Sequence, residues 1–293
     1  MKARESRKTR HARRQSNRIW ASDIDARDGL ARQDLALAFA QIFTPKIVGR
    51  RQYLEQRVKW KNGWIQFNSP ELDSTDLAVL LASTLLAARC PHDLAPSQNR
   101  EALLPVMAGK NGVADSESMG VDTSIRELAV IIKRDPRDGR AAVAIRASLR
   151  RLMSVVVTVS QGGEDNWGST HLVTAAFSAG GRLKIALNFR ATRAVLGNGN
   201  WARVNVAKIA AAGPVERVLM HRLAALCVGK PLPVSISRLT ETCWTREATT
   251  ARRQKEREAA VRAALICGSV VPDGRVVKIS NAGIVTFSWR PAD

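Results

Sequence analysis

The sequence has few of the residues on which catalytic and metal-binding sites depend. Its 293 residues include four cysteines, four histidines and a single tyrosine, Tyr53. The cysteines lie far apart and form no CxxC pair, which argues against a zinc ribbon and against a disulfide framework. A rolling-circle nickase needs nearly adjacent histidines on a strand and a nucleophilic tyrosine, whereas the histidines here are scattered. We therefore predict no catalytic residue and no metal site.

A phosphate-binding loop and a membrane span are missing as well. No GxxxxGK[ST] motif occurs, and Gly229-Lys230-Pro231 cannot replace it, because such a loop needs consecutive backbone N–H donors leading into a helix. No apolar run approaches the roughly 20 residues that cross a bilayer, and the basic start of the chain precedes no hydrophobic stretch. We expect a cytoplasmic protein with no cofactor and no membrane partner.

Positive charge is what the sequence has in excess. Its 46 lysines and arginines outnumber its 26 aspartates and glutamates, which gives a formal net charge of +20. Because 45% of the residues are hydrophobic, the chain can also form the core of one large domain or of two small ones. A polyanionic partner is the first expectation, and DNA, RNA and an anionic membrane surface all have the required charge.

The chain begins with a basic stretch that has almost nothing to bury. Residues 1–18 contain eight lysines and arginines against one acidic residue, Glu5. This composition predicts a disordered arm, which either lies along phosphates or is a solvated tail that raises solubility and nonspecific affinity. With a short helix expected around residues 32–43, the arm makes up a predicted segment over residues 1–50.

Residues 51–196 show the pattern of a winged-helix domain. Asn62-Gly63 lies between two alternating segments and predicts a tight hairpin. A Pro- and Gly-rich surface excursion is expected at residues 91–120, followed by helices over residues 122–133 and 140–155. The order helix, turn, helix, two-stranded wing is typical of the winged-helix fold, in which the second helix enters a major groove.

The wing of this domain is expected to start with the strand that directly follows the second helix. The segment "SVVVTV" at residues 154–159 is rich in β-branched residues, and a turn-rich stretch follows it. A second strand is predicted within residues 170–178 and a third within residues 182–188.

The same order recurs in residues 197–293, after a boundary near Gly197–Asn200. Helices are predicted over residues 214–227, 235–244 and 249–266, and a strand, turn and strand follow up to Trp289. The predicted fold class is therefore α+β, with two tandem winged-helix domains after a disordered basic N-terminal arm.

The helix over residues 249–266 is the strongest candidate for DNA contact. Its apolar positions fall in the last turns, around Val261 and Leu265, so the polar N-terminal half is free to project. A recognition helix contacts base edges with its N-terminal residues. The alternative is a surface helix whose arginines pair with Glu256 and Glu258 in exposed ion pairs. Its place between a short capped helix and a hairpin favours DNA contact.

Several stretches resemble one known family, replication protein C of IncQ-type plasmids, the initiator that binds the repeats (iterons) of the plasmid origin. The resemblance covers about residues 55–291. Its matching stretches include "ARVNVAKIAA" at residues 202–211, "SISRLTETCW" at residues 235–244 and "TARRQKEREAAVRAAL" at residues 250–265.

This resemblance implies an initiator without nucleotide hydrolysis. Such a protein binds directly repeated double-stranded DNA, assembles with itself on that DNA, and helps to open an adjacent A+T-rich segment for a plasmid-encoded helicase and primase. The second domain is expected to dominate specific binding, and the first is expected to add DNA contacts or an oligomerisation surface. The implied DNA-binding residues are Thr249, Thr250, Arg252, Arg253, Lys255 and Arg257, then Arg275 and Lys278 of the wing, and Arg140, Arg146 and Arg150 of the first domain.

Two other functions stay open at this point. A transcriptional repressor could have the same fold, but it would prefer an inverted repeat and a symmetric dimer, whereas an initiator would prefer direct repeats. A cationic RNA-binding protein is disfavoured, because the aromatic content is low and no stacking motif is recognisable on a strand.

Overall fold

The computed structural model describes residues 25–61, 63–89, 119–161, 167–177, 182–197, 200–227, 233–268, 270 and 275–289. The arm expected at residues 1–18 and almost all of the excursion expected at residues 91–120 lie outside the described residues. The described chain is a mixed α/β protein whose helices and small sheets surround one continuous hydrophobic core. The predicted mixture of helices and strands is confirmed.

The described chain has helices of 5 to 16 residues and strands of 2 to 8 residues. The helices are α1 (Leu35–Phe39), α2 (Ser74–Arg89), α3 (Ile125–Ile131), α4 (Gly139–Met153), α5 (Phe189–Val195), α6 (Val206–Ala211), α7 (Pro214–Leu226), α8 (Ile236–Cys243) and α9 (Ala251–Ile266). The strands are β1 (Leu30–Asp34), β2 (Phe43–Thr44), β3 (Tyr53–Trp60), β4 (Gly63–Pro70), β5 (Leu72–Asp73), β6 (Gly120–Ser124), β7 (Val156–Gln161), β8 (Trp167–His171), β9 (Val173–Phe177), β10 (Arg182–Leu187), β11 (Trp201–Asn205), β12 (Val234–Ser235), β13 (Arg275–Ile279) and β14 (Ile284–Trp289).

A two-stranded sheet links two segments that are distant in sequence. Strand β1 pairs antiparallel with β11, with Leu30 opposite Asn205 and Asp34 opposite Trp201. Each strand ends in a helix cap: the side-chain oxygens of Asp34 and Asn205 accept hydrogen bonds from backbone N–H groups of the first helical turn, at 2.7 and 2.9 Å. Helix α1 therefore begins directly at the end of β1, and helix α6 begins directly at the end of β11.

The two helices that follow this sheet pack across it. Helix α1 packs against α7, and α6 packs against α2. The first unit (β3 to α5) and the second unit (β11 to β14) therefore share a core. The helix predicted over residues 32–43 is shorter than expected, because residues 30–34 pair with a strand that no local pattern connects to them.

The first unit contains two sheets rather than one wing. Its three-stranded sheet has the order β6-β10-β9, and its four-stranded sheet has the order β3-β4-β7-β8. The prediction that β7 starts the wing is wrong, because β7 pairs with β4 of the β3–β4 hairpin. The chain changes sheets at buried Leu172, whose N–H donates to Val155 and whose carbonyl accepts from Asn188.

The second unit repeats the order of elements without the extra strands. Helix α7 is followed by β12, α8, α9 and the β13–β14 hairpin, and the sheet order is β12-β14-β13. Pro214 starts α7, where its missing N–H removes no helical hydrogen bond. Both units thus place the last strand of the series between the other two.

A buried histidine lies where the units meet. The Nδ1 of His221 on α7 forms a hydrogen bond with the side-chain oxygen of Gln33 on β1. The side-chain nitrogen of Gln33 donates to the backbone carbonyl of His221 at 3.0 Å. Since the Gln33 oxygen only accepts, this contact assigns the proton of a neutral imidazole to Nδ1. Burial holds the pKa of His221 well below 6.5, and the neighbouring Arg222 lowers it further.

We expect this histidine to make the protein less stable in mild acid. The unfolded chain takes up a proton at His221 below pH 6.5 whereas the folded chain does not, so stability is present above that pH and is lost as pH falls. The loss approaches about 1.4 kcal/mol per pH unit. Urea unfolding of the protein and of His221→Leu between pH 7.5 and 5.5 measures it. A pH profile that is the same for both proteins would contradict the assignment.

Candidate nucleic-acid interface

Helix α9 projects its N-terminal half from the second unit. It starts after Thr250, whose hydroxyl accepts a hydrogen bond from the Arg253 backbone N–H at 3.2 Å. The buried residues of the helix, Val261, Ala264 and Leu265, all lie in its last turns. The exposed residues near its start are Thr249, Thr250, Arg252, Arg253 and Lys255. The sequence pattern predicted this division of the helix.

The charges in the first turn of α9 oppose the helix dipole. Arg252 and Arg253 lie at the positive end of the helix, and the first turn contains no acidic residue. Cations at that position cost about 0.3 to 1 kcal/mol, whereas anions are stabilised. An anionic ligand at this end would meet the free backbone N–H groups, the dipole and the arginines together.

Arg252 is paired only weakly within the protein. Its Nε lies 2.9 Å from Oε1 of Glu256, one turn further along α9, and the two side chains are 89% and 60% exposed. An exposed pair of this spacing contributes about 0.3 to 0.5 kcal/mol. A phosphate group could therefore replace Glu256 at small cost.

Arg257 is half-buried, and its guanidinium is engaged by other parts of the protein. Its Nη1 donates to the Arg246 carbonyl at 2.7 Å, and its guanidinium lies 5.1 Å from the centre of the Trp244 ring. Desolvation, with a contribution from nearby Arg253, lowers the pKa of Arg257. Arg257 thus holds the segment that precedes α9 against the helix.

That segment is also bound to the first unit. The carboxylate of Glu71, between β4 and β5, is 2% exposed and accepts hydrogen bonds from the Thr245 hydroxyl and from Nε and Nη2 of Arg246. Nη2 of Arg246 also donates to the Arg50 carbonyl at 2.7 Å. We call Glu71, Thr245, Arg246 and Arg257 the Glu71 clamp. It connects the first unit to α9 in two steps, from Glu71 to Thr245 and Arg246, and from Arg246 to Arg257.

The β13–β14 hairpin carries the two predicted wing residues at different positions. Lys278 is exposed and pairs with Thr286 near the turn. Arg275 pairs with Trp289 at the opposite end of the hairpin. The structure therefore separates the two wing residues along the strand.

In the first unit, three arginines share the solvent-facing side of α4. The opposite side buries Ile145 and Leu149 among other apolar residues. The exposed arginines are Arg140, Arg146 and Arg150.

Arg151 belongs to a different contact of α4. Its guanidinium donates to the fully buried carboxylate of Asp76 on α2, at 2.7 Å from Nη2 and 3.1 Å from Nε. Arg51 approaches the same carboxylate at 3.5 Å. This ion pair fixes α4 to α2 and so orients the three exposed arginines.

Within the described ranges, no three His, Cys, Asp or Glu side chains come together in a way that could hold a metal ion. The helices of those ranges include none that is long and apolar enough to cross a bilayer.

Comparison with known proteins identifies the family. The family model described as "Replication protein C (RepC)" matches residues 61–271, well over half of the chain. The chain belongs to the replication protein C family. The resemblance inferred from the sequence is confirmed, and the chain is accordingly a replication protein.

Two solved structures resemble this replication protein C family member. The first, of domains 2 and 3 of RctB as selenomethionine derivatives, has a TM-score of 0.46 at 10% identity and covers 85% of this chain and 94% of that one. The second, of RctB domains 2–3, has a TM-score of 0.48 at 10% identity and covers 86% and 95%. No curated protein matches the sequence.

The part matched by the replication protein C family contains both the projecting helix and the clamp. Residues 61–271 include α9 and every member of the Glu71 clamp, and they end before β13. Glu71 and Arg246 were not among the predicted site residues. No local pattern indicates them, because their contact joins positions 175 residues apart.

Proposed function

We propose that this replication protein C family member is a replication initiator that binds directly repeated origin DNA through α9. The observation that supports this most is the N-terminal half of α9, which projects from the fold and carries exposed hydroxyl and basic side chains. Family membership supports a role in replication.

The proposed architecture is two tandem winged-helix domains. What supports it is the order helix, strand, helix, helix, strand, strand, which the second unit has directly and the first unit has with β7 and β8 inserted before its last two strands. In each three-stranded sheet the last strand lies between the other two. In that fold the second helix of the pair enters a major groove and the hairpin lies over the adjacent backbone. These helices are α4 in the first unit and α9 in the second.

We propose that α9 contacts both bases and phosphates, whereas the wing contacts phosphates alone. Arg252, Arg253 and Lys255 have the donors that bind guanine edges or phosphates, and Thr249 and Thr250 add hydroxyl groups. Arg275 and Lys278 would bind phosphates, which position the protein without distinguishing sequences. In this proposal Arg257 acts from within the clamp and orients the helix.

The first unit has two proposed roles. Arg140, Arg146 and Arg150 either bind flanking DNA or belong to a surface through which copies assemble on adjacent repeats. Several copies bound side by side can bend and untwist DNA, which transfers strain to a flexible A+T-rich neighbour. The opened segment would then receive the plasmid-encoded helicase and primase. No catalytic step is assigned to this chain.

Loss of the wing lysine should weaken binding to every DNA sequence by a similar factor. Since Lys278 would bind a phosphate, Lys278→Ala should reduce the slope of log affinity against log salt concentration by about 0.9. Titrations of repeat and scrambled duplexes at several salt concentrations measure this slope. A loss confined to the repeat would show instead that Lys278 contacts bases.

DNase I footprinting on an origin fragment tests the proposed function. We expect protection of each direct repeat, in the same orientation at every repeat. Protection confined to a palindromic promoter site would support a repressor and contradict the initiator. Arg253→Ala, tested in parallel, should lose the protection if α9 makes the contacts.

A further inference from the structure

The four-stranded sheet of the first unit carries an unusual outward face. Residues that pair directly across antiparallel strands lie on the same face, with strands about 4.8 Å apart. One row across the sheet is therefore Lys59, Trp64, Ser160 and Trp167. The two tryptophans lie on one face, two strands apart, with only a small serine between them.

The neighbouring row on this face is polar and basic. It consists of Arg57, Gln66, Thr158 and Ser169. Arg57 donates to the Gln66 side-chain oxygen at 3.1 Å, and its guanidinium lies 4.2 Å from the centre of the Trp64 ring. The Arg57 guanidinium is thus stacked on the Trp64 indole, and the Arg57 side chain stays exposed.

The inner face of the sheet is apolar and buried, whereas the outer face leaves aromatic surface exposed to solvent. The inner face buries Ile65, Phe67 and Val157 in the core. On the outer face Trp167 is 51% exposed, whereas Trp64, which the Arg57 guanidinium covers, is half-buried. An exposed aromatic ring forgoes the free energy of burial, about 25 cal/mol per Å² of apolar surface, so such a ring beside cationic side chains is typical of a binding surface.

The charge of this face favours an anionic partner. Arg57 and Lys59 project from β3, and exposed Lys61 lies at the turn that follows. Among the outward positions of the four strands, the only carboxylate is Glu55. A partner that is anionic and also offers flat rings fits these groups better than one that is anionic alone.

We propose that this outer sheet face binds single-stranded DNA. Cationic side chains beside aromatic rings are the usual means of holding single strands, because the bases stack on the rings while the phosphates meet the cations. In a duplex the base faces are already stacked, so the exposed indole of Trp167 and the Arg57 guanidinium would gain little from it. The inference rests on the proposed function, since an initiator that opens an origin exposes such strands next to its duplex site.

The sheet face and α9 are separate surfaces in this proposal. They share no residues, and they belong to different units. One protein could therefore hold the duplex repeat with α9 and one opened strand with the sheet. Holding the strand would oppose reannealing while other proteins load.

Fluorescence anisotropy of a labelled oligothymidylate with the full chain tests the proposal. Trp167→Ala and Trp167→Leu should weaken binding at least about fivefold, whereas Trp167→Phe should stay within about twofold, because only phenylalanine keeps a ring on which a base can stack. Arg57→Lys keeps the charge but not the planar group, and it should fall between wild type and Arg57→Ala. Binding to duplex repeats should not change in any of these variants.

A strand of the same length with abasic sites separates stacking from charge. The wild-type protein should bind this abasic strand several-fold more weakly than the normal strand. Wild type and Trp167→Ala should bind the abasic strand equally. Equal binding of normal and abasic strands by wild type would overturn the proposal, and so would unchanged affinity in Trp167→Ala. Variants that bind single strands normally but fail to recruit helicase or primase would show a protein-docking face instead.

Arg253→Ala distinguishes this proposal from the proposed function. Loss of duplex binding with single-strand binding retained is the expected result. If the same substitution abolishes both, single strands bind at α9 and the sheet proposal is wrong. If the repeats are never bound specifically while Trp167 still controls single-strand affinity, the proposed function fails and the sheet site stands.

Discussion

Arg253→Ala is expected to weaken binding to the origin repeat by about 1 to 3 kcal/mol, roughly 5- to 150-fold, while leaving the fold intact. The side chain is exposed near the start of α9, where a recognition helix contacts base edges. Its backbone N–H donates to Thr250, and the substitution to alanine preserves that cap. Competition titrations of a labelled repeat against scrambled duplex measure the loss of specific affinity.

The matched control lies on the same helix. Arg262 is exposed in the C-terminal half of α9, so Arg262→Ala removes the same charge from a part of the helix that is not expected to contact bases. Its specific affinity should change by less than about threefold, as expected for the loss of one distant charge. Unchanged repeat binding in Arg253→Ala, or equal losses in both variants, would exclude base contact by the start of α9.

Glu71→Gln should lower both stability and specific affinity. The substitution keeps the side chain's shape but removes a buried negative charge that accepts hydrogen bonds from Arg246 and Thr245. Breaking such a pair leaves Arg246 uncompensated, and we expect a loss of about 2 to 3 kcal/mol in the free energy of unfolding. Since Arg246 also holds Arg257, the start of α9 should become less ordered.

The effect of Glu71→Gln on DNA binding separates the orientation of α9 from the net charge of the protein. Affinity for the repeat should fall about tenfold, the effect of losing roughly 1.4 kcal/mol of preorganisation, while nonspecific affinity should stay constant or rise slightly because the net charge increases. Glu241→Gln makes the same change of charge in the exposed Arg238–Glu241 pair and should alter neither property much. A Glu71→Gln protein that is less stable but binds the repeat normally would show that the clamp does not orient α9.

Local patterns predicted much of the second unit and the start of α9. Their success has a physical reason, since caps such as Thr250 and the position of Val261 and Leu265 late in the helix are set within a few residues of sequence. The β3–β4 hairpin was predictable for the same reason, because two strands that are adjacent in sequence pair locally.

What could not be predicted depends on contacts between distant segments. Nothing near residues 30–34 indicates that they pair with β11, and nothing in "SVVVTV" distinguishes pairing with β4 from pairing within a wing. The side chain of Arg257 has the chemistry of a DNA contact, but the Arg246 carbonyl and Trp244 that engage it are set by the tertiary fold. Register across strands likewise placed Trp64 and Trp167 on one face.

The central claim is that α9 binds directly repeated origin DNA, and a gel-shift titration at about 0.15 M salt tests it most directly. A labelled fragment with the direct repeats of the cognate origin is compared with scrambled DNA of equal length. The account predicts a ladder of discrete complexes, one step for each repeat, that survives excess scrambled competitor and is lost in Arg253→Ala. Equal binding to both DNAs would contradict it and leave a basic protein that binds nucleic acid without regard to sequence.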